Sequence, residues 1–218
     1  MSINKRFSNQ ELERIKAAVR EAESKISGEI VPVFVEKSGF YSLANYRAAL
    51  LGASIVFFLI VMSDRYMPSM SIYDRDPLLI FVLVTLGGFV CGLLANFSNP
   101  VKRAMLGAQH LDQATKQRAE NAFLQEEVFN TRQRTGIMIF VSFFEREVIV
   151  MADKGISKVV DQKVWDNLVR GIIESVRNGK IVDGMEVAIK KCGEILLEKG
   201  FVIDPDDVNE LSDDLRIE

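Results

Sequence analysis

Apolar residues follow three different patterns along this chain, and each predicts a different kind of element. The first is helical spacing. Leu12, Ile15, Val19, Ala22 and Ile26 fall on one face of a helix. The preceding Phe7-Ser8-Asn9-Gln10-Glu11 reads as its start, with Ser8 as cap, Glu11 closing a capping box and Phe7 stapled to Leu12. Ser27-Gly28 is expected to end it. Residues 103–131, without proline and with one glycine, predict a long amphipathic helix with Leu106, His110 or Leu111, Ala114, Ala122, Phe123 and Phe129 inward. A further helix is expected from Ser157 to Asn178, with Val160, Val164, Trp165, Leu168, Val169, Ile172 and Val176 as its inner stripe. Asp183-Gly184-Met185-Glu186 reads as a capping box opening a last helix to Gly200.

The second pattern is short and β-rich. EIVPVFVE, Glu29 to Glu36, predicts a strand, and Pro32, which cannot donate to a ladder, predicts that it lies at an edge. GIMIFVSFF, Gly136 to Phe144, is nearly unbroken and predicts a strand covered on both faces at the sheet centre. Glu145-Arg146 then turns into EVIVMA, a strand antiparallel to it. The fold class expected is α/β, a small mixed sheet flanked by helices.

The third pattern is continuous. Between Asp76 and Lys102 lie 25 uncharged residues, with Asp76-Pro77 as a helix start and Asn99-Pro100 as its stop. Their apolar heart, 78–97, at about 1.5 Å per residue matches a bilayer core of roughly 30 Å. Between Arg47 and Asp64 lie 16 more, and a start at Leu43 gives a spanning length if Arg47 snorkels to the headgroups. A two-helix transmembrane hairpin therefore interrupts the α/β domain. The expected organisation is a discontinuous domain of 1–42 plus 102–203, a first transmembrane helix at 43–63, an external loop at 64–77, a second helix at 78–98, and an acidic, mobile tail at 204–218. Gly88 and Gly92 form GxxxG, and Ala48 and Gly52 match small-xxx-small, which would let helices approach closely.

Charge adds orientation. The N-terminal MSINKRFSNQELERI lacks the apolar h-region of a signal peptide. Lys37, Arg47, Lys102 and Arg103 flank the hairpin on the domain side, against Arg65 and Arg75 in the loop. The domain is expected to face the cytoplasm from a bacterial inner membrane. A net charge of −3 without a basic stripe gives no case for nucleic acid. The expected partners are the lipid bilayer and a membrane protein or second copy met through the transmembrane helices.

Candidate chemistry is sparse. One histidine, His110, excludes His-cluster metal sites and makes no triad, and two cysteines, Cys91 and Cys192, make neither a disulfide framework nor CxxC. Cys192 is expected in the core. Asp204, Asp206 and Asp207 fail the EF-hand test, because no glycine sits at the turn position and Leu215 stands where glutamate is needed. The remaining candidates are carboxylates near strand ends, Glu29, Glu145, Asp153 and Asp161. Ligands favour strand ends in open α/β sheets, and oxygen donors suit Ca²⁺ or Mg²⁺. Asp153 also suits a helix cap and Glu145 a turn.

The motifs Ala22-Glu23, Ser27-Gly28-Glu29-Ile30, Thr131-Arg132, Arg134 to Ser142, Arg146 to Val150, Asp153-Lys154-Gly155-Ile156, Trp165 and Gly193 to Leu196, in that order, resemble the TPM-domain (TPM phosphatase) family. They are most similar to a membrane-bound bacterial branch in which a hairpin interrupts the domain after its first strand, as is the DDVNEL of the tail. The resemblance implies an α/β sandwich. It also implies either divalent-metal-dependent acid phosphatase activity or a role in assembly and repair of membrane complexes. Relatives with proposed metal sites carry paired aspartates after the central strand; here those positions are about Phe144 and Glu145. Ser157 stands where an acid is common, and by rough alignment Asp161 remains acidic. The expectation drawn is a binding or assembly module rather than an enzyme, with a phosphatase as the alternative. No resident cofactor is expected, and Ca²⁺ or Mg²⁺ would bind at most weakly.

Overall fold

A computed structural model describes residues 6–66, 76–203, 206 and 209–217. Most of the loop between the two apolar helices and part of the acidic tail, including Asp204 and Asp207, lie outside the described residues. The chain divides into two compact units, Met1–Ser38 with Ala114–Glu218, and Gly39–Gln113.

The first unit is a mixed four-stranded sheet with helices on both faces. Its elements are α1 (Asn9–Glu23), β1 (Glu29–Val35), most of α5 (Ala108–Gln125), β2 (Gly136–Ser142), β3 (Glu147–Ala152), α6 (Lys154–Ser157), α7 (Gln162–Arg177), α8 (Ile181–Glu198) and β4 (Arg216–Ile217). The strand order is β3-β2-β1-β4. β1 runs parallel to β2 from Glu29↔Gly136 to Val35↔Ser142, β3 returns antiparallel, and β4 pairs parallel to β1 at Val33 and Phe34.

The period of two in these strands sorts the core. Ile30, Phe34, Ile137, Ile139 and Val141 face α1, α7 and α8, where Ile15, Val19, Trp165, Leu168, Ile172, Met185, Ile189 and Leu196 complete one cluster. Val31, Val33, Val35, Met138 and Phe140 face the other way, onto Ala119 and Ala122 of α5 and onto Val128. β2 is buried along its whole length, as a central strand requires.

β1 is not the edge strand that Pro32 predicted. The Glu29 N–H donates to Thr135 O, towards β2. Donors alternate sides along a strand, so Pro32 directs its missing donor away from β2, one residue before β4 begins to pair. A proline is tolerated there because the ladder loses nothing. On the same side, Ile30 finds an acceptor in Glu23 Oε1 at 2.7 Å.

Other boundaries shift for local reasons. The Ser8–Glu11 capping box forms as the pattern predicts, but α1 stops at Glu23 with Ser24 as its cap. The long helix expected over 103–131 is broken at Gly107, whose φ of 79° lies outside the helical region, and Leu111 rather than the exposed His110 turns inward. α7 begins at Gln162 rather than Ser157, and Asp161 caps it by accepting the Lys163 N–H at 2.9 Å. No capping box opens α8, because Asp183 and Glu186 both reach Arg14 of α1. Within the acidic tail, Asp213, Asp214 and Arg216 pair with Arg20, Lys16 and Glu126. Gly136 shows why the Thr-Gly before β2 admits no side chain, since a Cβ there would lie 1.9 Å from Val128 O.

The second unit contains α2 (Ser42–Tyr66), α3 (Pro77–Phe97), α4 (Asn99–Leu106) and the start of α5. Asp76 caps α3 through the Leu78 N–H at 2.8 Å, with Pro77 at the first helical position. Asn99-Pro100 ends α3 and at once begins α4. α2 and α3 lie antiparallel through small residues. A Cβ on Gly88 would meet Ala49 O at 2.9 Å, one on Gly92 would meet Asn45 O at 3.3 Å, and one on Gly52 would overlap Cys91 at 2.5 Å. The outer faces stay bare, and only 17% and 11% of the most apolar windows of α2 and α3 are buried. Both helices are long and apolar enough to cross a membrane. Arg47 Nη1 donates to the Met105 and Leu106 carbonyls at 2.7 and 3.3 Å, closing the C-terminal end of α4.

Candidate functional site

The strand register decides which candidate carboxylates can meet. Glu29 opens β1 opposite Gly136, and Asp153 follows β3, its N–H donating to Gly136 O at 2.9 Å. These two share one end of the sheet. Glu145 occupies the β2–β3 turn at the other end, beyond strands that rise roughly 20 Å. Asp161 is the cap of α7. The four do not form one site. Glu29 and Asp153 are themselves separated by β2, about 10 Å across the sheet.

Around Glu145, which is 3% exposed, the Ser38 N–H donates to Oε1 at 2.9 Å and the Ser142 hydroxyl donates to Oε2. Ser38 Oγ donates in turn to Ser142 Oγ at 2.9 Å. The Phe143 and Phe144 N–H groups continue the ladder onto Val35 and Glu36. This is a hydroxyl chain ending on a carboxylate, and it ties the β1 exit to the hairpin turn. The only histidine, His110, belongs to the other unit, so no imidazole of this unit can accept a hydroxyl proton here.

At the opposite end Asp153 is held from two directions. Arg134 Nε lies 2.6 Å from Oδ2, and the Lys154 N–H donates to Oδ1 at 2.7 Å, so the residue is both an ion-pair partner and the cap of α6. Arg134 takes a φ of 58°, and its guanidinium stacks 5.6 Å over Phe129. Ser157, at the position where relatives commonly carry an acid, donates instead to the Ala152 and Asp153 carbonyls.

Glu29 has acidic company that sequence reading missed. Its Oε1 accepts the Glu210 N–H at 2.9 Å. Beside it stand Glu23 and Asp213, the latter bound to Arg20 at 2.6 Å and Asn209 at 2.6 Å. Burial foremost, with the nearby charges of Glu29 and Asp213 and a hydrogen bond to Asp213, raises the Glu23 carboxyl to about 8 against the lowering pull of the Ile30 N–H. Glu23 is thus a protonated acid at neutral pH, lying between ionisable neighbours. A cleft of about 190 Å³ opens here, lined by Arg20, Glu23, Ser24, Glu29 and Asn209 among others. Glu23 was visible in sequence as the end of a helix, but Asp213 lay in a tail read as mobile, so nothing local joined them. Among the described residues, no three His, Cys, Asp or Glu side chains are arranged to hold a metal ion. Cys192, as expected, is a core residue, and burial raises its thiol to about 12.

Residues 104–195 match the family model described as the TPM domain. Over that stretch, less than half of its length, the chain is similar to the TPM domain. The match begins within α4 and ends near the C-terminus of α8, so it takes in the central strand β2, the edge strand β3 and the helices that follow them. The BA42 protein of the psychrophilic bacterium Bizionia argentinensis, solved by NMR, is similar in structure. The TM-score is 0.59 at 19% identity, over 97% of this chain and 95% of that one, which shows a shared fold. None of the curated proteins compared matches the chain. The sheet carries helices on both faces, while the carboxylates serve turns, caps and the tail.

Proposed function

We propose that the protein is a membrane-anchored TPM domain, facing the cytoplasm from a bacterial inner membrane, that serves as a binding or assembly module for membrane-associated proteins. One observation carries the anchoring. α2 and α3 pack on each other through glycine and alanine, yet leave Leu50, Ile55, Phe58, Phe81, Phe89 and Leu94 exposed. Apolar surface on that scale calls for lipid or a partner. The module reading is supported by the occupation of each candidate carboxylate. Glu145 serves the turn, Asp153 serves Arg134 and α6, Asp161 caps α7, and Glu29 holds the tail.

The alternative, a divalent-metal-dependent phosphatase at the membrane surface, is favoured by the buried carboxylate cleft at Glu29. Phosphoryl transfer needs concentrated positive charge against the transferring group. The full chain, purified in neutral detergent, should show no saturable Mg²⁺ or Ca²⁺ binding below millimolar concentration by calorimetry. It should also show no hydrolysis of p-nitrophenyl phosphate beyond background. Metal-dependent turnover that falls at least tenfold in Glu145→Gln, Asp153→Asn or Glu29→Gln would overturn the module and establish the enzyme.

A further inference from the structure

The end of the second unit formed by the start of α2, the end of α3 and α4 has a charge composition unlike its surroundings. From Lys37 to Ser63, and again from Pro77 to Leu111, there is no acidic residue. Arg47, Lys102 and Arg103 are therefore, with Lys37, the charged residues of these two stretches. Arg47 is fixed on the last carbonyls of α4, at 2.7 and 3.3 Å. Lys102 Nζ rests on a neutral acceptor, Asn96 Oδ1, at 2.8 Å. Arg103 Nε is buried and, among the described residues, has no hydrogen-bond partner. A buried cationic donor left unmatched is costly, and phosphate oxygens are the acceptors an arginine fork fits best. The same end exposes Phe97 at 84% and Val101 at 41%. A free phosphate matches only the cations, whereas a phospholipid matches the cations with its headgroup and the apolar side chains with its acyl chains. At the other end of the helix pair the signs are mixed, with Asp64 and Arg65 in the last turn of α2 and Asp76 at the cap of α3.

We propose that this end is a docking surface for the headgroup of an anionic phospholipid, with Lys102 and Arg103 contacting the phosphate and Arg47 as the strut that holds α4 in place. Arg103 lies one helical turn from Leu106, whose carbonyl Arg47 engages, so strut and contact residues share about 5 Å of helix. The site rests on the anchoring reading above and adds a lipid preference to it.

The test uses the full-length chain in neutral detergent, titrated separately with short-chain phosphatidylglycerol, short-chain phosphatidylcholine and inorganic phosphate, with bound ligand read by native mass spectrometry. Phosphatidylglycerol should bind saturably, phosphatidylcholine and phosphate should not. K102Q and the K102Q/R103Q pair should lose roughly fivefold in affinity per charge removed. R103K should retain binding, and K190Q, on α8, should match the unaltered chain. K102Q alone, at a half-buried position, keeps the test decisive if the double variant loses its helical circular dichroism. Equal binding of the two lipids, binding of phosphate as tight as phosphatidylglycerol, or unchanged affinity in K102Q overturns the site. Flotation with pure phosphatidylcholine vesicles separates the two claims. A chain that floats but shows no phosphatidylglycerol preference overturns the headgroup site alone; one that does not float overturns the anchoring as well.

Discussion

Glu23 is the residue whose chemistry departs furthest from its sequence context. Its carboxyl rises from an ordinary 4.5 to about 8, first through burial and then through Glu29 and Asp213. Between those values the folded chain holds a proton that the unfolded chain has released. Stability from this group is therefore undiminished below pH 4.5 and declines as pH rises towards 8. The decline is about 1.4 kcal/mol for each pH unit crossed, on the order of a few kcal/mol in all. Glutamine reproduces the protonated form, with Oε1 accepting the Ile30 N–H and the amide donating to Asp213. Chemical denaturation of Glu23→Gln should match the parent near pH 5 and exceed it in stability by 1–3 kcal/mol, roughly, at pH 9. Equal pH profiles for the two chains would contradict the buried-acid assignment. Neither the raised carboxyl nor its partners could be read from the sequence, since burial and the approach of Asp213 are products of the tertiary fold.

Elements were legible wherever one hydrophobic period ran unbroken, and misread where a single residue carried the inference. GIMIFVSFF gave the central strand β2, and the two uncharged runs gave α2 and α3. Pro32 misled because its side of β1 was invisible, and DGME misled because Arg14, far away in sequence, claims both acids. β4 was missed because two residues cannot carry a pattern. Its pairing makes a sharp prediction. Alternation places the Phe34 N–H towards β4 and those of Val33 and Val35 towards β2. In a chain ending at Ile203, amide exchange at Phe34 should quicken at least tenfold, while Val33 and Val35 stay protected. Equal acceleration at all three would mean that the C-terminal segment supports the whole sheet rather than one edge of it.

For the molecule as a whole, the sequence was most informative about architecture and least about chemistry. Continuous apolarity reports a membrane-length helix without any tertiary knowledge, and the order of short motifs reports the likeness to the TPM domain that residues 104–195 carry. Carboxylate function depends on convergence in space, and the register sends Glu145 and Glu29 to opposite ends of the sheet. The proposed topology has the paired apolar helices cross a membrane and leave the α/β domain on the cytoplasmic side. Its most direct test is thiol labelling of intact bacterial cells expressing the full chain with Cys91 and Cys192 replaced by alanine. A cysteine at Ser69, between the two helices, should react with a membrane-impermeant maleimide from outside. A cysteine at Asn178, after α7, should react only once the membrane is permeabilised. Labelling of Asn178→Cys in intact cells, or protection of Ser69→Cys until permeabilisation, would contradict the account.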